Sequence, residues 1–520
     1  MATVFRLCSK HSLFYYAFTC PLSILASTAF AMSLQPIIDV GLSGDVRKFI
    51  AATAAAVILA CMDVLFSYIK EIQKKKVVIS YTKNLRMHYF EMFFHQDIAR
   101  FLEKDSAAYL SKLTVDAEVI GQKYCESILH LYRALWSLVI SIACIAFTRW
   151  ELAIYVVIIS FVSANLPKLF QNKANASEQD YLDSSSTHIN LAQESIRNYL
   201  VIRLFKLIPT QMKKYEQAIS DVESKDNYRQ KRSFIVDAAA SAISSISFIL
   251  IIASCMLLVL QGKLSVGYTM SVSQLLGGIM FPFEMFPGYL VAYRSGKKIY
   301  RSNEAELSES LKVEGGQKLR LTQANDSIEI NHISFAYHEA PPFILNEICL
   351  SLNLKKKYAV VGKSGSGKST LAKIIMGLLE PTCGFVSLNG IPYGKIDKSS
   401  LYEGITYQNQ TVSFFDGTIK ENIALGKQLP ESTWRQIVKA SCLDEMLNKL
   451  PDRELTVIKE NGKNISGGEA QRICLARCLA RQPAFIIFDE IAASLDAKNA
   501  AIRFHFRFKG WDYFRTGNMG

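Results

Sequence analysis

YAVVGKSGSGKST, residues Tyr358 to Thr370, opens with a four-residue apolar run and turns through glycines into an apolar-periodic segment beginning near Thr370. That order reads as strand, loop, helix. Gly362, Gly367, Lys368 and Ser369 fit G-x-x-x-x-G-K-[ST], with Lys363, Ser364, Gly365 and Ser366 filling the loop between them. Glycines let backbone N–H groups turn inward around a polyphosphate, and the following helix aims its positive end at the same anion. Lys368 is placed to reach the β- and γ-phosphates of ATP, and the Ser369 hydroxyl to hold Mg²⁺.

Outward from that loop, the chain divides by hydropathy. It has 520 residues, half of them hydrophobic, with a mean hydropathy of +0.15, and the excess lies before residue 300. Six apolar segments are long enough to cross a bilayer as helices: about 13–38, 48–70, 127–148, 151–171, 234–261 and 266–293. The first has a basic start (Arg6, Lys10) and an Ala29-x-Ala31 pair, as a signal peptide would. Its run is too long for one and five more follow, so it reads as an uncleaved span.

The net charge of +13 raises the question of nucleic acid. The basic residues form no binding stripe and no nucleic-acid motif accompanies them, so that class is set aside. Ten Lys/Arg lie between Lys70 and Lys123 and ten more between Lys173 and Arg232, while the other turns carry few. The positive-inside tendency then puts both long loops and both termini in the cytosol. Apolar residues in LRMHYFEMFFHQ and LSKLTVDAEVI recur at helical spacing, so the membrane helices are expected to continue into the cytosol. The eleven cysteines lack paired spacing and read as reduced packing residues.

Asp63 and Glu284 lie inside spans, where a charge facing lipid is costly. Each is expected either to meet a cationic or polar substrate or to make a structural hydrogen bond. Pro282 and Pro287 bracket Glu284 and are expected to bend or loosen that helix.

Residues 301–327 are polar and charged and read as a linker after a membrane domain at 1–300. SIEINHISFAY then alternates as strands entering a domain at 328–520. Phe485 to Phe488 is a buried-type strand ending in Asp489 and Glu490. Ile465-Ser466-Gly467-Gly468-Glu469 offers small residues at a helix start.

With the phosphate loop ahead of them, these motifs resemble the nucleotide-binding domain of an ATP-binding cassette transporter, and the resemblance extends over nearly the whole chain. It implies an all-α, six-helix transmembrane domain followed by an α/β P-loop nucleotide-binding domain: an exporter half-transporter. By that resemblance Asp489 holds the Mg²⁺ shell and Glu490 polarises the attacking water. Gln410, aligned by the following FFDGTIKENI, links Mg²⁺ and water to the membrane domain, with Gln408 the alternative by spacing. Ser466, Gly467, Gly468 and Glu469 stand for the signature LSGGQ, which serves the nucleotide of a second subunit, homo- or heterodimeric. Tyr337 sits where the family stacks an aromatic on adenine, a core tyrosine being the bland reading. Ser494-Leu495-Asp496 resembles the loop that pairs across the dimer. Residues 114–119 and 194–203 are the candidates for contact with the cassette.

The family also carries a switch histidine about thirty residues beyond the catalytic Glu, and His505 does not match its position or context. The tail after about Asn499 is therefore expected to be truncated or out of register, with hydrolysis impaired. The leading expectation is an ATP-driven exporter in a bacterial inner membrane, surrounded by lipid, with its cassette in the cytoplasm and its cargo unspecified. The rivals are a hydrolysis-impaired regulatory or degenerate partner and a nucleotide-gated channel.

Overall fold

A computed structural model of the chain describes residues 6–96, 98, 101, 106–165, 168–309, 317–318, 326–337, 343–354, 356–363, 365–408, 412–459 and 462–489. It divides into two compact units, Met1–His95 with Lys104–Ser310 and Gln96–Glu103 with Leu311–Gly520.

The first unit is helical: α1 (Lys10–Ser43), α2 (Val46–Phe94), α3 (Ser106–Thr148), α4 (Trp150–Asn165), α5 (Lys168–Arg197), α6 (Tyr199–Leu204), α7 (Ile208–Leu260) and α8 (Val266–Glu309). Five of these (α1, α2, α3, α7 and α8) are long and apolar enough to cross a membrane, and the apolar stretch Trp150–Ser163 within α4 is a shorter candidate for the sixth span. Only 6% of the most apolar window of α2 is buried inside the protein. Apolar residues that point outward from helices of this length are solvated by lipid rather than by a protein core. α2 has 49 residues and α7 has 53. A span needs about 20, so at 1.5 Å per residue the remainder runs on for roughly 45 Å in α2 and roughly 50 Å in α7, as the periodicity of the long loops predicts.

Helix contacts are made by small residues. A Cβ on Gly278 of α8 would collide with Ser141 Oγ of α3, and Ser137 Oγ donates to the Gly278 carbonyl at 2.8 Å. α8 runs unbroken through Pro282 and Pro287. Two stretches of α3, Lys112–Asp116 and Gly121–Glu126, are π-helical. At the first, buried Lys112 donates to Asn303 (3.1 Å) and Glu306 (2.8 Å) of α8, and Asn303 donates to Asp116 at 3.0 Å. Residues 114–119 are thus interior to a continuous helix. At 196–205 the chain turns between α5 and α7, and Ile196, Leu200, Leu204 and Phe205 are exposed.

The second unit contains an antiparallel sheet of order β2-β1-β3-β4, from β1 (Ser327–Phe335), β2 (Leu345–Asn353), β3 (Cys383–Leu388) and β4 (Ile391–Pro392). A parallel pair joins β5 (Ile405–Gln408) to β8 (Phe485–Phe488), with Ile405 opposite Phe485 and Gln408 opposite Phe488. A short pair joins β6 (Gly417–Thr418) to β7 (Val457–Ile458). The helices are α9 (Lys368–Ile375), α10 (Lys398–Gly404), α11 (Ile419–Ala424), α12 (Glu431–Ala440), α13 (Asp444–Lys449) and α14 (Gly467–Ala480). One apolar cluster joins β1, β2 and β3 to α9; another gathers α11, α12, α13 and α14.

The run Tyr358 to Val361 departs from its expected strand. It pairs with no strand among the described residues, and Val361 is 89% exposed. An apolar run becomes a buried strand only where neighbouring strands satisfy its backbone groups, and among the described residues none lies beside this one.

Candidate functional site

The phosphate loop is closed by its own lysine. Lys368 Nζ donates to the carbonyls of Gly362 (3.0 Å) and Lys363 (2.8 Å), and Ser366 N–H donates to the Lys363 carbonyl at 3.2 Å. Gly367 is the residue before α9, with φ +86°, and a Cβ there would sit 2.8 Å from Leu345 Cδ2. Left-handed backbone and close packing together leave room only for glycine. The loop residues from Gly362 to Ser366 that are described are exposed, while Thr370 is buried with its hydroxyl 3.3 Å from Tyr337 Oη. Tyr337 is exposed and meets Phe335 edge-on at 5.1 Å. Ser364, Gln410 and Glu490 lie outside the described residues, as do Ser494, Leu495, Asp496 and the tail with His505.

Ser369 Oγ donates to Asp489 Oδ1 at 3.1 Å, joining residues 120 positions apart. Asp489 stands at the end of β8, its N–H donating to the Gln408 carbonyl of β5 at 3.2 Å. The parallel pair therefore carries the carboxylate to the start of α9. Its other oxygen, Oδ2, accepts from Tyr407 Oη at 2.9 Å. Burial first, and then the bond to Asp489, push the Tyr407 phenol above its ordinary pKa. It stays a donor throughout the neutral range. Sequence reasoning passed over Tyr407. The alternation of β5 carries the signal: Tyr407 packs with the phosphate-loop cluster, while Gln408 turns away into the interior. Gln408 is 5% exposed and its Oε1 accepts from Cys478 Sγ at 3.8 Å. Gln408 is thus a core residue.

The donors that meet at this point are a hydroxyl and a carboxylate, all oxygen, beside a loop built for phosphate. Such a set suits a hard divalent cation such as Mg²⁺.

The Ser466 turn is an N-cap. Ser466 Oγ accepts from Glu469 N–H at 3.4 Å and donates to Glu469 Oε2 at 2.6 Å, and Ser466 N–H donates to the same carboxylate oxygen at 2.9 Å. This is a capping box, and it fixes Gly467 and Gly468 as the first turn of α14. The Ser466 hydroxyl bond and then its N–H hold the Glu469 carboxyl below the usual range. No hydrogen bond joins this turn to the phosphate loop of the same chain among the described residues.

Arg477, also overlooked in the sequence, locks α14 to the segment after β5. It donates through Nε to the Asn422 carbonyl (2.9 Å), through Nη1 to the Ser413 carbonyl (3.0 Å) and through Nη2 to Asn422 Oδ1 (3.1 Å). In the membrane unit, Glu284 is exposed on its helix and accepts from Ser244 Oγ of α7 at 2.7 Å, whereas Asp63 lines a cavity. All eleven cysteines are free thiols.

Comparison with known proteins gives a consistent picture. A family model described as ABC transporter transmembrane region matches residues 13–283, and one described as ABC transporter matches residues 345–493. The ATP-dependent lipid A-core flippase of Haemophilus influenzae is 26% identical over 482 residues, covering 91% of this chain and 81% of that protein. The Pediocin PA-1 transport/processing ATP-binding protein PedD of Pediococcus acidilactici is 27% identical over 482 residues, covering 91% and 66%. A solved structure of a bacterial Atm1-family ABC exporter with ATP bound shares the fold, with a TM-score of 0.76 at 19% identity over 95% of this chain and 88% of that one.

Proposed function

This chain belongs to the ABC transporter family, and from that premise we propose that it is one subunit of a dimeric exporter that moves its cargo as ATP closes a pocket shared by two copies or by two related chains. It is a multi-pass integral membrane protein, and its relatives are ATPases coupled to transport. The observation that carries the proposal is the Ser369–Asp489 contact, which sets a phosphate loop and a metal-type carboxylate together across 120 residues.

In this reading residues 362–370 cradle the phosphates of ATP, Tyr337 packs on its base, and Lys368 exchanges its loop carbonyls for phosphate oxygens. Ser369, Asp489 and Gln410 would hold Mg²⁺, which neutralises phosphate charge when bound. Glu490 orients and deprotonates the attacking water. The N–H groups of Gly467 and Gly468, with Ser466 and Glu469, face the nucleotide held by the partner subunit. Residues 1–300 form the pathway, 301–327 connect it, and 328–520 form the cassette, on the cytoplasmic side of a bacterial inner membrane. The exposed apolar residues Ile196, Tyr199, Leu200 and Val201 within 194–203 suit transmission of cassette closure to the helices.

A second reading, a subunit that binds nucleotide but hydrolyses it poorly, is favoured by two features. Glu469 puts a carboxylate where the family's glutamine is neutral, at the helix start that must attract phosphate. The run before the loop pairs with no strand among the described residues. ATP-dependent transport in inverted vesicles, with Glu490→Gln as control, separates the readings. Uptake lost in Glu490→Gln supports the exporter. Nucleotide binding without turnover, in the chain alone and with partner chains, supports the second.

A further inference from the structure

Where the start of α1 lies against α2, the outer surface of the membrane unit is basic and free of acids. Ser9 N–H donates to Ser80 Oγ at 3.1 Å, and Asn84 Nδ2 donates to the Leu7 carbonyl at 2.7 Å. Lys10 follows on α1, and Lys74, Lys75, Lys76 and Lys83 flank Ser80 on α2. No Asp or Glu occurs from residue 6 to 38 or from 72 to 90. Two cations are nonetheless taken: Lys74 by Glu71 (2.8 Å) and by Glu126 of α3 (3.4 Å), and Arg86 by Glu118 of α3 (3.1 Å). Lys10, Lys75 and Lys76 are exposed and make no ion pair among the described residues. The cytosolic part of α7 differs, with Lys225 paired to Asp221 and Arg229 to Asp226 and Glu178.

Depth selects among these cations. The apolar run of α2 ends at about Lys70, so at 1.5 Å per residue Lys75 and Lys76 lie about 8 to 9 Å beyond the hydrocarbon edge. The head-group layer reaches roughly 5 to 8 Å from that edge. A helical Cβ tilts toward the helix N-terminus, which for α2 is the membrane end, so both lysines lean back into the layer. The short turn between α1 and α2 makes the helices antiparallel, and the Ser9–Ser80 contact sets Lys10 level with Ile79, about 5 Å further out than Lys76. That is still within a Debye length of about 8 Å. Lys83, about 20 Å from the edge, is not. The same register sets Phe14 level with Lys75 and Phe18 level with Glu71, and Phe14, Tyr15 and Phe18 are 71%, 55% and 66% exposed. Outward aromatic rings beside cations at one depth mark a bilayer boundary.

We infer that this corner is a docking surface for anionic phospholipid of the cytosolic leaflet. Lys10 and Lys76 hold the phosphate across the Ser9–Ser80 contact, Lys75 adds charge at the same depth, and the acyl chains lie on Phe14 and Phe18. A bound lipid therefore ties the start of α1 to α2 from outside the bundle. The inference rests on the membrane placement of the chain and is independent of the exporter reading.

The test places the full chain in phosphatidylcholine nanodiscs with a trace of spin-labelled phosphatidylglycerol or spin-labelled phosphatidylcholine, and reads the motionally restricted fraction of each. The expected result at about 50 mM salt is selection of phosphatidylglycerol by about fivefold, weakening at about 500 mM. Lys10→Gln, Lys75→Gln and Lys76→Gln together should lower it below about twofold, while arginine at the same three positions retains it. The matched control neutralises Lys206, Lys213 and Lys214, exposed cations around the start of α7 and roughly 30 Å or more from its span, and should change nothing. Equal loss in the two neutralised variants assigns the effect to diffuse cytosolic charge and overturns the inference. So does a lack of preference in the unaltered chain, loss of selection in the arginine variant, or displacement of the lipid by about 10 mM glycerol phosphate. If the triple glutamine variant fails to insert, Lys75→Gln and Lys76→Gln decide singly: each should lower selection by about twofold, and indifference to both overturns the inference.

Discussion

Tyr407→Phe removes one oxygen from the site and keeps the ring that packs against the apolar cluster of β1, β2, β3 and α9. The lost bond is the 2.9 Å donation to Asp489 Oδ2. A hydrogen bond to a charged group contributes about 1.5 to 3 kcal/mol, and partial exposure of both groups favours the lower end. About 1.4 kcal/mol is tenfold in an equilibrium constant. The Asp489 carboxylate, left with Ser369 alone among the described residues to orient it, is expected to hold Mg²⁺ about tenfold less well. The assay is the Mg²⁺ concentration giving half-maximal retention of a fluorescent ATP analogue, with melting temperature as the folding control. The shift should be flat from about pH 6 to 9. The phenol's raised pKa keeps its stabilising bond in place below the ordinary tyrosine value near 10, with loss only as pH rises through the folded value. An unchanged Mg²⁺ midpoint in Tyr407→Phe, alongside a lost one in Asp489→Asn, would refute a positioning role for Tyr407.

Glu469→Gln preserves the N3 partner of the capping box and removes the negative charge at the start of α14, so ATP-induced association of the cassettes should strengthen several-fold by crosslinking or light scattering. Because the Glu469 carboxyl is depressed, its contribution to stability is present above the ordinary glutamate value near 4.3 and is lost as pH falls through the lower folded value; melting curves of the Gln variant should lack that acid-side loss. Gly278→Ala drives a methyl into Ser141 and should cost about 1 to 3 kcal/mol in detergent unfolding. Gly277→Ala, with nothing within 4 Å of the new carbon, should cost little. Arg477→Leu strands the carbonyls of Ser413 and Asn422 and should destabilise the cassette by about 2 to 4 kcal/mol, read as a lowered melting temperature.

What could be read from the chain in advance was whatever is local. Gly367 and Lys368 announce themselves by spacing, since only glycine fits a left-handed turn packed on Leu345. The long helices follow from apolar runs without an internal stop, and α2 and α7 indeed extend far beyond a bilayer's thickness. Asp489 is legible as the end of a four-residue apolar strand. The contacts that were not legible are those made by side chains reaching across the sequence. Tyr407 looks like one more strand aromatic until β5 is set beside β8, and Arg477 looks like a surface helix charge until α14 is set against the segment around Asn422. Gln408 and Gln410 are equivalent as letters, and only the strand alternation turns Gln408 into the core beside Cys478. Tyr358 to Val361 shows the opposite failure: its apolar run favours a strand, but strand formation depends on a neighbour that no local pattern reports.

The proposed function rests on nucleotide binding by residues 362–370. Equilibrium binding of ATP to the full-length chain in nanodiscs, with and without Lys368→Ala, tests it most directly. Loss of the lysine's bonds to phosphate oxygens should weaken binding by about 10- to 100-fold with the fold intact by circular dichroism. An ATP affinity unchanged by the substitution would contradict the account.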